Sequence, residues 1–219
     1  PLVGTRDIMV MHSVIDILGI NPVSEAVFRN AAAAMVGMAK YGRAEGSGQQ
    51  IRDAKYVGIT MLGNTTKAVM RIKDRLAEHG MEGVIFHSNG VGGPAMEELA
   101  ETGMFAGVID FTTDELSDEL VGGFHKGGEH RLERVGQAGL PQVVVPGCID
   151  FTVNGQRHEL PDHLRGRPAY YHNPEFTLVR VLEDEMVQIG HIMARKLNMA
   201  RGPVRVAVPL RGLSIPNVP

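Results

Sequence analysis

Residues 55–93, KYVGITMLGNTTKAVMRIKDRLAEHGMEGVIFHSNGVGG, constrain this chain more than any other stretch. An apolar run at 56–62 breaks at Gly63 into Asn64, Thr65 and Thr66. A helical pattern follows, with Val69, Met70, Ile72 and Leu76 on its apolar face, and stops at Gly80, a residue suited to ending a helix. A second apolar run at 83–87 breaks into Ser88, Asn89, Gly90, Val91, Gly92 and Gly93. A helix crossing between two short buried strands makes a parallel pair. Both polar turns then lie at carboxyl ends of strands, where open α/β sheets bind ligands.

The same alternation recurs along the chain. Strands are expected at 7–11, 106–111, 142–145, 169–171 and 204–208. Helical patterns run over 23–41, opened by Pro22 and Ser24, and over 95–102, 114–120, 131–137 and 176–199. Residues 42–50 form a polar, glycine-rich connector, and 121–129 form a loop with four glycines. Residues 151–168 have no clear period, and Asn154-Gly155 marks a hairpin turn within them. The fold class is α/β: a Rossmann-like open, mostly parallel sheet with helices on both faces and right-handed crossovers. The 219 residues read as a single α/β domain.

Several function classes are excluded or disfavoured. A net charge of -3 argues against bulk attraction to nucleic acid or anionic membrane. No apolar run approaches the roughly 20 residues needed to span a bilayer, and residues 1–7 lack the basic and apolar segments of a signal peptide. One cysteine, Cys148, rules out an internal disulfide framework and fits a reducing, cytoplasmic setting. The chain opens on Pro1 and closes on SIPNVP, so it reads as a fragment of a longer protein.

Polar residues collect after each expected strand. They are His12, Ser13 and Asp16; Gly63, Asn64, Thr65 and Thr66; Ser88, Asn89, Gly90, Gly92 and Gly93; Asp110, Thr112, Thr113 and Glu115; Gly147 and Asp150; His172 and Asn173; and Arg211. In a parallel sheet these seven turns share one edge, which points to a site there. The two glycine turns suit an anion, since N–H groups at a helix start bind phosphate or carboxylate and glycine admits close approach. Neither turn is a Walker loop or a full GxGxxG. His12, His87, Asp110 and His172 are candidate acid–base groups, and Arg211 can grip a carboxylate or phosphate with two hydrogen bonds. Asp16, Asp110 and Asp150 could hold Mg²⁺ beside a nucleotide. No HExxH or CxxC occurs, so a dense zinc site is not indicated, and Cys148 reads as a buried thiol.

The stretches VGTRDIMVMHSVIDILGIN, NAAAAMVGMA, GITMLGNTT, VIFHSNGVGGPAMEEL, GVIDFTTDELSDEL, RLERVGQAGLPQVVVPGCIDF, YYHNPEFTLVR and PLRGLS cover nearly the whole chain. As a set they resemble the largely uncharacterised family that shares the ATP-binding domain of the tomato mosaic virus resistance protein. The resemblance implies that the chain is the second subdomain of a longer two-subdomain unit. It also implies a nucleotide-binding α/β protein that takes ATP, with Mg²⁺, and forms a homo-oligomer, a dimer; it implies no established reaction. Three expectations follow. The first is a nucleotide-binding module using the matched turns. The second is an enzyme acting on a small phosphorylated or carboxylated metabolite through His12, Asp110, His172 and Arg211. The third is an interaction domain that dimerises through the 31–38 helix face.

Overall fold

A computed structural model describes residues 4–5, 7–16, 18–42 and 55–217. They fall into two compact units, one built on 7–42 and one on 55–217. The connector expected at 42–50 lies almost wholly outside the described residues.

In the smaller unit, helix α1 spans Pro22–Tyr41. Its start is set locally. Asn21 Oδ1 accepts the N–H groups of Val23 and Ser24, both at 3.0 Å, and Ser24 Oγ accepts the Asn21 N–H at 2.9 Å. These bonds satisfy donors that a helix start leaves open. The strand expected at 7–11 does not form. A strand exists only through its ladder, and no described strand pairs with these residues, so Ile8, Met9 and Val10 stay exposed.

The larger unit holds β1 (Lys55–Met61), α2 (Thr66–Glu78), β2 (Met81–His87), α3 (Gly92–Glu101), β3 (Gly107–Thr112) and β4 (Gln142–Gly147). Two short helices, α4 (Asp114–Ser117) and α5 (Arg134–Gln137), lie between β3 and β4. With β8 (Val204–Val206), the strands make a five-stranded sheet of order β2-β1-β3-β4-β8, parallel at every pairing. Alternate residues feed opposite faces, as a doubly covered sheet requires. Val57, Ile59, Ile85 and Ile109 join Val69, Ile72 and Leu76 of α2. Tyr56, Val84, Phe86 and Val108 join Met96, Leu99 and Ala100 of α3. The chain runs from β1 out to β2, then back across β1 to β3, so its direction of winding reverses between β1 and β3. Ligands of open α/β sheets sit at that reversal, beyond the strands' carboxyl ends.

A second sheet of order β5-β7-β6 is antiparallel, with β5 Phe151–Asn154, β6 Ala169–Tyr171 and β7 Thr177–Arg180. It corrects three expectations. Residues 169–171 are not in the parallel sheet. The partner of β5 is β7, so Asn154-Gly155 closes no tight hairpin. The long helix, α6, is Glu183–Asn198 only, because 177–180 pair on both sides as a strand. Leu178, Val181 and Leu182 fit a helical stripe as well as a strand, so spacing alone could not separate the two. The start of α6 is fixed by Glu185, whose carboxylate accepts the Leu182 N–H at 2.8 Å and two bonds from Arg167 at 2.7 and 3.0 Å. Val179, Val181, Ile189 and Met193 then share a core with Val144, Leu116 and Leu164.

Candidate functional site

A cavity of about 380 Å³ opens among Leu62, Gly63 and Asn64 after β1, His87 at the end of β2 and Asn89 beyond it, and His125, Val153, His172, Asn173, Phe176 and Leu178. It brings the two glycine turns of the parallel sheet against the second sheet.

The first turn is a short 3-10 segment, Gly63–Thr65, leading into α2. Its two threonines hold the turn itself. Thr65 Oγ1 accepts the Leu62 N–H at 3.0 Å and lies 2.8 Å from Thr112 Oγ1, while Thr66 Oγ1 donates to the Leu62 carbonyl at 3.2 Å. Gly63 and Asn64 face the cavity. As the first residues of a helical turn, their N–H groups have no acceptor within it. Cys148 is fully buried, and burial pushes its thiol up in pKa. Cys148 itself sits in the left-handed region, φ 65°, a strained position for a side chain.

The second turn is filled from within. Glu115 Oε1 accepts the N–H groups of Gly90 at 2.8 Å and Gly93 at 3.3 Å, and Asn89 Oδ1 accepts those of Val91 and Gly92 at 3.3 and 3.4 Å. Its glycines serve the chain's own groups. A Cβ on Gly93 would lie 1.9 Å from Glu115 Oε2, and one on Gly90, at φ +87°, 2.8 Å from the Lys126 carbonyl. Ser88 is buried and donates to Asp114 Oδ1 at 2.7 Å.

Behind this turn lies a buried charge network. Arg131 donates through Nε to Glu115 at 2.5 Å, through Nη1 to Glu97 at 2.8 Å, and through both terminal nitrogens to Asp110 at 2.6 and 2.8 Å. All four side chains are at most 2% exposed. Burial opposes the charge on Arg131, but Asp110 and Glu115 outweigh it and hold its pKa well above the usual arginine value. Burial pushes Glu97 and Glu115 up despite the pull of Arg131. Glu97 also accepts the N–H groups of Leu132 and Arg134 at 2.6 and 3.0 Å, so the network holds the start of α5 as well.

The site residues expected from sequence therefore separate. Gly63, Asn64, Asn89 and His172 line the cavity. Thr65, Ser88, Gly93, Thr112 and Thr113 are buried, and Thr113 Oγ1 donates to the Val145 carbonyl at 3.2 Å. Thr66, Gly90 and Gly92 shape the turns. Asp110 is held in the ion network, and Arg211 is exposed. His12 lies in the smaller unit, where its Nδ1 accepts the Val14 N–H at 3.0 Å. Asp150 accepts the Ser214 hydroxyl at 2.6 Å. No group of three or more metal-ligating side chains converges among the described residues. Among them, too, no helix is long and apolar enough to cross a membrane.

Sequence reasoning missed His125. It sits in the 121–129 loop, and its Nδ1 lies 2.9 Å from Oδ2 of the fully buried Asp114. Its own N–H donates to Asp118 Oδ2 at 2.7 Å, which ties the loop down. Burial works against charging His125, but the bond to Asp114 and the charges of Asp114, Asp118 and Glu115 prevail and raise its pKa. The available signal was a histidine in FHKGG, a loop whose glycines allow it to lie close over Gly90.

Comparison with known proteins adds the context. The model described as "Uncharacterised protein family (UPF0261) C-terminal domain" matches residues 54–219, and that of the N-terminal domain matches 1–44. A UPF0261 protein of Clostridium tetani is 41% identical over 215 residues, 98% of this chain and 52% of that protein. A UPF0261 protein of Rhizobium meliloti is 38% identical over 215 residues, covering 98% and 52%. The ToMV resistance protein Tm-1(GCR237) of Solanum lycopersicum is 38% identical over 219 residues, covering 99% of this chain and 29% of that protein. The chain thus spans about half or less of the length of these relatives.

Proposed function

The chain belongs to the uncharacterised UPF0261 family, and from that premise we propose that its larger unit binds a nucleotide in the cavity beyond β1 and β2. One observation carries the reading. Gly63 and Asn64, whose N–H groups have no acceptor within their own turn, line a cavity at the carboxyl edge of the sheet, whereas the N–H groups of the second turn are satisfied internally. The cavity, about 380 Å³, falls within the range of small-ligand sites. Leu62, Val153, Phe176 and Leu178 give an apolar wall for a base. Gly63 and Asn64, in the turn that leads into α2, give donors for a phosphate, which the helix dipole favours. ATP with Mg²⁺ is the first ligand to try. Calorimetric titration should give saturable heat at one site per chain. Wild-type protein that gives neither heat nor a thermal shift with ATP and Mg²⁺ ends this reading.

The alternative is an enzyme acting on a small phosphorylated or carboxylated metabolite. Of the acid–base groups expected from sequence, His87 and His172 line the cavity. His125 joins them there and gives this alternative its main support.

A further inference from the structure

We propose that His125 is a general base of this cavity, that Asp114 positions it, and that the pair hydrolyses the terminal phosphoanhydride of a bound nucleoside triphosphate. The inference rests on the nucleotide reading above and adds a reaction to it.

Three features of the geometry point this way. The His125 ring lines the cavity, with its side chain 16% exposed, while Asp114 beneath it is fully buried. The Nδ1 nitrogen is committed to Asp114 at 2.9 Å, so in the neutral ring Nδ1 carries the hydrogen and Nε2 carries the lone pair. Nε2 has no protein partner among the described residues. Asp114 is itself fixed through its other oxygen by Ser88 Oγ at 2.7 Å. A buried carboxylate that sets the tautomer of an imidazole and leaves its second nitrogen for a ligand is how acid–base histidines are held. The dyad is also assembled from distant segments. Ser88 follows β2, Asp114 opens α4, and the loop of His125 is seated over Gly90, where any side chain would strike the Lys126 carbonyl. A histidine needed only to hold its loop would not require this placement, because the loop is already tied by its own N–H to Asp118.

The chemistry balances without a further reactant. Nε2 takes a proton from water as the water oxygen bonds to the terminal phosphorus. The bond from that phosphorus to the bridging oxygen breaks, and its electron pair leaves with the nucleoside diphosphate. Such a leaving group is weakly basic and needs no proton. The Asp114 carboxylate stabilises the imidazolium, which then releases its proton to solvent. The products are nucleoside diphosphate, inorganic phosphate and a proton.

The test uses the whole chain with ATP and Mg²⁺, following heat of binding and phosphate release separately. Wild type should bind and release phosphate. His125→Gln should keep its ATP affinity within about threefold and lose roughly 100-fold or more in rate, the range for removing an acid–base group. The wild-type rate should rise with pH to a plateau as His125 loses its proton. Burial lowers this inflection and Asp114, Asp118 and Glu115 raise it; His87 and His172 line the same cavity. In Asp114→Asn the inflection should move to lower pH, since the carboxylate that raises His125 is gone. Binding without phosphate release, an unchanged rate in His125→Gln, or a flat wild-type pH profile each overturn the proposal while the nucleotide reading stands. Absence of ATP binding removes both. The wild-type pH profile decides the matter even if the variants fail to fold.

Discussion

The two glycine turns look alike in sequence and end up opposite in use. Each follows a parallel strand, each leads into a helix, and each mixes glycine with small polar residues. In the turn at 88–93 the carboxylate of Glu115 takes two N–H groups and Asn89 takes two more. In the turn at 63–66 the threonines brace Leu62, and Gly63 and Asn64 face a cavity. An anion-binding turn in a folded chain is therefore not the same as a vacant one. The chain's own acids compete for such turns, and Glu115 wins at the second because Arg131 holds it there at 2.5 Å.

The largest effect that could break this contrast comes from Arg131→Met. It strands Asp110, Glu97 and Glu115 in the interior, and removing one partner of a buried ion pair costs about 3–5 kcal/mol. Urea unfolding should show a loss of that size; a loss under about 1 kcal/mol would mean that the second turn does not depend on the network.

A pH series on Asp118→Asn sharpens the same side of the comparison. Burial, with the charge of Asp114 adding to it, raises the Asp118 carboxyl from 3.8 to about 7. The folded chain then keeps a proton that the unfolded chain has lost, so this group's contribution to stability is full below pH 3.8 and lost as pH rises through 7. The asparagine variant has no such loss. Its stability relative to wild type should improve by on the order of 4 kcal/mol between pH 4 and pH 8. A constant gap between the two proteins across that series would contradict the raised carboxyl.

The smallest effect tests the open turn. A Cβ on Gly63 meets nothing within 4 Å. Gly63→Ala should therefore unfold within a few degrees of wild type. It should still weaken ATP about tenfold, or roughly 1.4 kcal/mol, by crowding the N–H groups that face the ligand. Unchanged affinity would place the phosphate elsewhere.

What could be read from sequence was whatever local spacing decides. The β1–α2–β2 unit stands where the 55–93 pattern puts it, and Pro22 and Ser24 start α1 as their chemistry suggests. What could not be read depends on partners distant in the chain. Residues 177–180 are a strand only because β5 and β6 flank them, and 7–11 are not a strand for want of such a partner. The site divides the same way. Turn chemistry picked out Gly63 and Asn64. It also picked out Asp110, whose role depends on Arg131, 21 residues away. His125 stayed hidden because its meaning lies in Asp114, and nothing local marks that pairing.

The Arg131 network also limits how such a chain can diverge. One guanidinium serves carboxylates drawn from α3, β3 and α4. Neutralising it alone leaves three acids without a counter-charge, and replacing any one acid alone leaves guanidinium donors without acceptors. Each single step therefore leaves either a buried charge or a buried donor unpaired. These four positions should therefore be inherited as a block, and where a relative has lost the arginine, its three acids should have been replaced along with it.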